Sequence, residues 1–186
     1  VAKLPKLNGK IRLENVPYSY IGDISPLEHT TFTLNDKIAW ITVGDSKCGW
    51  SDAIKFYFMV LTEHQYRDLD KVVIDYDRIR PHGTPLKTFG GTASGHMALQ
   101  NMFTKIDEIL HNKRTDQVKL KPIDCLDIVN IIGEGVVVGG VRRTAEITLF
   151  DSNDIECITA KDNLYIEKNG EWKPNLDILH RQMSNN

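Results

Sequence analysis

Three glycine-rich, charge-bearing segments hold most of the side chains that could do chemistry. The first is Gly44-Asp45-Ser46-Lys47-Cys48-Gly49-Trp50. A carboxylate, a hydroxyl and an ammonium sit there between a strand end and a helix start, where backbone N–H groups and the helix dipole favour an anion. A phosphate and a ribose could be held in such a turn. Equally, Asp45 and Ser46 could do no more than close an Asx-type turn. The second segment runs from 78 to 95 and carries Arg78, Arg80, His82, Lys87, the pair Gly90-Gly91, Thr92 and Ser94. Two guanidinium groups, an ammonium, hydroxyls and closely approachable backbone amides suit a polyphosphate. A solvated loop capped by Ser94 is the plainer alternative. The third, from 133 to 147, places Gly139-Gly140 and Arg142-Arg143 after the valine triplet Val136-Val137-Val138. It reads either as a mobile contact loop or as a tight helix-to-strand connection with solvated arginines.

Other chemistry finds less support. No Gly-x-Ser-x-Gly elbow occurs, and the six histidines show no pairing with a carboxylate or a thiol that sequence can establish. Cys48, Cys125 and Cys157 lie far apart without a Cys-x-x-Cys spacing, which argues against a zinc site or a disulfide framework and favours a reducing cytosol. Cys125 reads as an inert core thiol within an apolar helix, and Cys48 as a thiol in a polar turn. The carboxylate pairs Asp68/Asp70 and Asp75/Asp77 read as solvated surface. No catalytic residue and no metal ligand is assigned.

The elements that must position these segments follow from periodicity. Residues 1–36 carry Pro5, Pro17 and Pro26 and read as loops, with at most a short strand near Ile11–Leu13. Residues 37–43 alternate apolar side chains as a strand ending at Gly44. A helix with Ser51 as its cap follows, presenting Ala53, Ile54, Tyr57, Phe58 and Leu61. Residues 71–76 form a second strand, 78–95 a loop, and about 94–111 a helix. Pro122 opens a third helix that Gly139-Gly140 breaks. Residues 146–150 read as a strand, Asn169-Gly170 as a hairpin turn, and 175–183 as the start of a helix. Alternating strands and helices give the α/β class, and the absence of a strand-joined Gly-x-Gly-x-x-Gly excludes a conventional dinucleotide fold.

With 23 Lys plus Arg against 25 Asp plus Glu, the formal charge is −2, so no cationic excess is present to hold a polynucleotide. Apolar residues at 41% and charged ones at 26% place the chain among globular proteins. No apolar run approaches the ~20 residues that cross a bilayer, so no membrane partner is expected. The chain opens at Val1 rather than Met and closes on Met183-Ser184-Asn185-Asn186, which makes a piece of something longer the expectation.

Taken in order, Arg78-Ile79-Arg80-Pro81-His82-Gly83, Phe89-Gly90-Gly91-Thr92-Ala93-Ser94-Gly95 and Gly139-Gly140-Val141-Arg142-Arg143-Thr144-Ala145-Glu146-Ile147 resemble the monomeric, adenosylcobalamin-dependent ribonucleoside-triphosphate reductases. The likeness runs from near Lys37 to the C-terminus. It implies part of a ten-stranded α/β barrel with an inserted effector-site region, residues 1–77 being insertion-like and 78–186 belonging to the barrel. It also implies a parent enzyme that makes 2′-deoxyribonucleotides from ribonucleoside triphosphates by radical chemistry, in the cytoplasm, with a thioredoxin-type reductant. The family's radical-bearing cysteine lies in an Asn-Pro-Cys-Gly-Glu segment that this sequence lacks, so the chain alone is expected to be inactive, and adenosylcobalamin is expected to touch mostly the remainder of the reductase.

By the same resemblance, Asp45, Ser46, Lys47, Arg78, Arg80, Lys87, Thr92 and Ser94 face a dNTP effector. Gly139, Gly140, Arg142 and Arg143 belong to a loop between effector base and substrate base. A coupling of about 1–3 kcal/mol through that loop shifts substrate preference roughly 5- to 150-fold. Two further readings stand beside this one, a stand-alone dNTP-binding regulatory module and a structural remnant without activity. Strands taken from a barrel leave open edges, so the chain is expected to be marginally stable, prone to association, or completed by another chain.

Overall fold

The computed structural model describes residues 7–20, 27–86, 91–115, 119–136 and 145–185. The chain is α/β and divides into two compact units, Val1–Lys119 and Leu120–Asn186.

The first unit is built on four strands, β1 (Arg12–Asn15), β2 (Thr31–Asn35), β3 (Ile38–Thr42) and β4 (Lys71–Asp75), in the spatial order β1-β4-β3-β2. β1, β4 and β3 run parallel, and β2 pairs antiparallel with β3. The β2–β3 turn is made possible by Asp36 in the left-handed region at φ 51°, a conformation Asp tolerates better than most residues. β2 lies within the stretch that sequence assigns to loops. It forms because its β-branched, period-two run pairs with β3 and seats Phe32 against Phe56 (5.1 Å, stacked) and Tyr66 (5.8 Å, edge-on).

Register places Ala39 beside Val72 and Ile41 beside Ile74, and all four are fully buried. Parallel strands need cover of this kind, which helices provide. Helix α1 (Lys47–Thr62) buries Ala53, Tyr57, Val60 and Leu61, and helix α2 (His96–Thr115) buries Leu99, Met102, Phe103, Ile106 and Leu110. The helices meet where Tyr57 packs edge-on against Phe103 at 5.3 Å and its hydroxyl donates to Asp107 Oδ1 at 2.7 Å. α1 begins four residues before the expected Ser51 cap. Ser46 caps it instead, its Oγ accepting from Gly49 N at 2.9 Å. Gly49 permits the early start, since a Cβ there would fall 2.4 Å from the Gly44 carbonyl oxygen.

In the second unit, Pro122 opens helix α3 (Pro122–Gly135) as expected, with the Asp124 carboxylate accepting from Lys121 N at 2.7 Å. α3 ends at Gly135, ahead of Gly139-Gly140, which lie outside the described residues. The strand expected over 146–150 is only β5 (Glu146–Ile147), and a short helix α4 (Ile155–Ile158), not foreseen, follows it with Asp154 as cap. β6 (Tyr165–Lys168) and β7 (Glu171–Pro174) form the hairpin around Asn169-Gly170, both with positive φ.

The expected C-terminal helix is a 3₁₀ segment, Leu179–Met183, leading into β8 (Ser184–Asn185), which pairs parallel with β5. Its tight winding follows from side-chain ties to α3. His180 Nε2 and Arg181 Nε donate to Asp127 Oδ1 at 2.9 and 2.5 Å, Arg181 Nη2 donates to Asp127 Oδ2 at 2.8 Å, and Ser184 N donates to buried Asn130 Oδ1 at 2.8 Å. Cys125 lies on α3 but faces solvent, contrary to the core role expected of it, because the burying face of the helix is Leu126, Ile128, Asn130 and Ile131.

Candidate functional site at the carboxyl ends of the parallel strands

In open parallel sheets, ligands bind beyond the carboxyl ends of the strands, where the connecting loops converge. In the first unit those loops are residues 16–20 after β1, 43–46 after β3 and 76–80 after β4, and two of the three sequence motifs sit on them.

The turn after β3 is held from behind by residues 27–30. Buried Thr30 accepts from Gly44 N at 3.0 Å and donates to the Gly49 carbonyl at 2.6 Å. Asp45 N donates to Leu27 O at 2.8 Å, and the Ser46 hydroxyl donates to Glu28 O. Gly44 is required because a Cβ would lie 2.7 Å from the His29 carbonyl carbon. The N–H groups of Gly44, Asp45 and Gly49 are thus already committed, and what the turn offers outward is its side chains.

Asp45 reaches the turn after β4. Arg80 Nε donates to Asp45 Oδ2 at 2.5 Å, with the two side chains 30% and 12% exposed. Sequence places these residues in separate motifs, and the fold joins them in one ion pair. Arg78, two residues away, buries Nη1 without a hydrogen-bond partner among the described residues. A buried donor left unpaired costs about 1–3 kcal/mol, so this nitrogen calls for an acceptor that the other described residues do not supply. Lys47 is exposed in the first turn of α1.

The 78–95 segment is more ordered than a loop. Gly83 N donates to Ala93 O at 3.0 Å, Ala93 N to Thr84 O at 2.8 Å, and Leu86 N to Gly91 O at 3.0 Å, while Pro85 bridges Thr92. It is therefore a hairpin-like excursion returning to α2. Thr92 lies exposed on the returning limb, and the Ser94 carbonyl accepts from His82 Nδ1 at 3.2 Å. Gly95 closes it with φ +74°, and a Cβ there would fall 2.9 Å from His82 N. Lys87, and Gly139, Gly140, Arg142 and Arg143 of the third motif, lie outside the described residues.

Sequence reasoning missed several residues of this edge. Tyr18, in a run read as loop, stacks on His96 with ring centroids 3.7 Å apart, and its hydroxyl donates to Ile79 O at 2.7 Å. Burial, with the charges of Tyr20, Asp77 and Asp45 nearby, pushes the Tyr18 hydroxyl up. Burial pushes the His96 imidazole down, partly opposed by Asp77. Asp75 and Asp77 are not solvated surface. Asp75 accepts from Thr42 Oγ1 and Asp77 N, and Asp77 accepts from Ser19 N at 2.6 Å, so both brace the loops they join. Asp68 and Asp70 are exposed as expected.

A family described as B12-dependent ribonucleotide reductase, insertion domain, matches residues 11–110, a span that includes all of this edge. The adenosylcobalamin-dependent ribonucleoside-triphosphate reductase of Lactobacillus gasseri is 34% identical over 96% of this chain and 25% of its own length. The protein of that name from Levilactobacillus brevis is 47% identical over 58% of this chain and 14% of its own. A crystal structure of a B12-dependent, class II ribonucleotide reductase shares the fold, with a TM-score of 0.72 and 24% identity over 97% of this chain and 24% of that one. The chain thus spans about a quarter of the length of the Lactobacillus gasseri relative. With the family match covering the three converging loops and the solved fold covering nearly the whole chain, the protein belongs to the B12-dependent ribonucleotide reductase family, through its insertion domain.

Proposed function

We propose that this chain carries the dNTP effector site of a ribonucleotide reductase whose whole polypeptide converts ribonucleoside triphosphates to 2′-deoxyribonucleotides by radical chemistry. The observation that carries the reading is the Asp45–Arg80 pair, which joins the strand-end turn to the turn that also carries Arg78, whose Nη1 is buried without a partner among the described residues. An effector phosphate supplies acceptors for Arg78 and for the free edge of Arg80, since guanidinium groups fork onto phosphate oxygens. Lys47 and Lys87 add charge, and Ser46, Thr92 and Ser94 line the approach. Residues 1–77 form the insertion-like side and 78–186 the barrel side. That boundary falls inside the first compact unit, so both sides share one sheet-built core. Gly139, Gly140, Arg142 and Arg143 relay effector identity to the substrate base.

Among the described residues no three His, Cys, Asp or Glu side chains converge as metal ligands, and Cys48 and Cys125 are solitary and exposed. In the proposed reading, cofactor, substrate turnover and a thioredoxin-type reductant engage the remainder of the reductase, and the setting is cytoplasmic. No helix among the described residues is long and apolar enough to cross a membrane.

Calorimetric titration of the 186-residue chain with each dNTP tests the proposal. The expected result is binding that tightens when the remaining polypeptide of the Lactobacillus gasseri reductase is supplied as a companion, and that Arg80→Ala weakens about tenfold or more. Tight binding indifferent to the companion favours a stand-alone regulatory module. No heat with any dNTP, with or without the companion, rejects both.

A further inference from the structure

The residue that the sequence motifs leave out, Tyr18, is tied to the two arginines through the backbone between them. Its hydroxyl donates to the Ile79 carbonyl at 2.7 Å, and that carbonyl belongs to the peptide leading into Arg80. On the other side of the same residue, Ile79 N donates to Tyr76 O at 2.8 Å, and the Ile79 side chain is buried at 1% exposure. A second tie runs parallel to the first, Ser19 N to Asp77 Oδ1 at 2.6 Å. The exit from β1 is therefore laced twice onto the turn that carries Arg78 and Arg80.

The far face of the same ring is fixed as well. Tyr18 lies nearly flat on His96, at 3.7 Å and 16° between planes, and His96 is the first residue of the 20-residue helix α2. Stacking of this kind favours the pair beyond the surface it buries. Directly before His96, Gly95 is pressed against His82 on the outgoing limb. One side chain thus spans three pieces of backbone: its own segment after β1, the arginine turn after β4, and the start of α2.

We propose that Tyr18 is a positioning residue of the anion site, holding the Ile79–Arg80 peptide so that Arg78 and Arg80 present their guanidinium groups to one polyphosphate. The proposal rests on the effector-site reading and goes beyond it in assigning the aim of both arginines to a residue that need not touch the ligand. A group that acts through the arginines affects whatever the arginines hold. Its removal should weaken a base-free polyphosphate and every dNTP by the same factor.

Tyr18→Phe keeps the ring on His96 and removes only the hydroxyl. Calorimetry on the full chain compares the parent, Tyr18→Phe and Arg80→Ala, using inorganic tripolyphosphate and the four dNTPs as probes. All are run with the companion polypeptide if the parent needs it to bind, and urea midpoints show that each variant is folded. Tyr18→Phe is expected to weaken all five probes alike by about fivefold, the equivalent of one neutral hydrogen bond. If Tyr18→Phe binds like the parent while Arg80→Ala does not, the positioning role is overturned and the effector site stands. A loss confined to particular dNTPs, with tripolyphosphate unaffected, also overturns it, because Tyr18 would then contact the base. If Arg80→Ala binds like the parent, or the parent binds no probe in either condition, the site and the positioning role fall together.

Discussion

Thr30, which none of the motifs includes, fastens the strand-end turn with two hydrogen bonds. It is buried, accepts from Gly44 N and donates to Gly49 O, so one hydroxyl fastens the turn to the first turn of α1. Thr30→Val keeps the shape, orphans Gly44 N and removes a second acceptance at the Gly49 carbonyl, and should cost about 1–3 kcal/mol, read as a lower urea midpoint at an unchanged m-value. Gly49→Ala drives a methyl into the Gly44 carbonyl and should cost about 1–3 kcal/mol, with circular dichroism showing a frayed helix start. The turn at Asp45, Ser46 and Lys47 was legible in the sequence because a glycine followed by capping residues marks a strand end and a helix start locally. Thr30 was not, since nothing local marks a threonine whose two partners lie 14 and 19 residues away.

At the level of elements, α3 and the C-terminal 3₁₀ segment are joined by an ionic knot. Burial alone would raise the Asp127 carboxyl, but hydrogen bonds from Arg181 and His180, together with their charges, hold it below its ordinary value. A carboxylate depressed in the folded state stabilises above its unfolded value of about 3.9, and that contribution disappears as pH falls through the lower folded value. Thermal melts should therefore show the parent losing stability on acidification below about pH 4 more steeply than Asp127→Asn. Asp127→Asn should itself lose about 2–4 kcal/mol at neutral pH, because Arg181 stays behind partly buried. In the first unit His96, a basic group, gives a slope of the same direction at higher pH. Burial lowers the imidazole, so stability present above its unfolded value of about 6.5 is lost as pH falls, a slope that His96→Gln should remove from the melting profile. Periodicity found α1, β3, β4, α2, α3 and the Asn169-Gly170 hairpin. It overran the strand at 146–150 and the helix at 175–183, where contacts distant in sequence decide the winding.

Over the whole molecule, the second unit leaves much apolar surface in solvent. Ile147 is 74%, Leu149 92% and Trp172 71% exposed, and the parallel pair β5–β8 is only two residues long. Parallel strands are ordinarily covered on both faces, and apolar patches left open promote association. The chain should therefore associate in a concentration-dependent way in sedimentation velocity, and Ile147→Thr combined with Leu149→Glu should shift it toward a smaller species. An unchanged distribution would show that this surface is not the cause. The match over about a quarter of the relatives' length gives the same picture from another side, since a shared fold over so small a part leaves most of each relative's packing surface elsewhere.

The amino-acid order alone determined the α/β class, the principal helices, the kinship to the reductases and the chemical character of the three motifs. Those properties reside in short-range periodicity and in runs of glycine, arginine and hydroxyl residues, which need no partner to be recognised. Only the tertiary structure decided that Asp45 meets Arg80, that Tyr18 bridges the arginine turn to α2, and that Asp127 gathers His180 and Arg181. Each of these joins residues 35 or more positions apart, and such pairings are set by strand register and helix packing rather than by any neighbour along the chain.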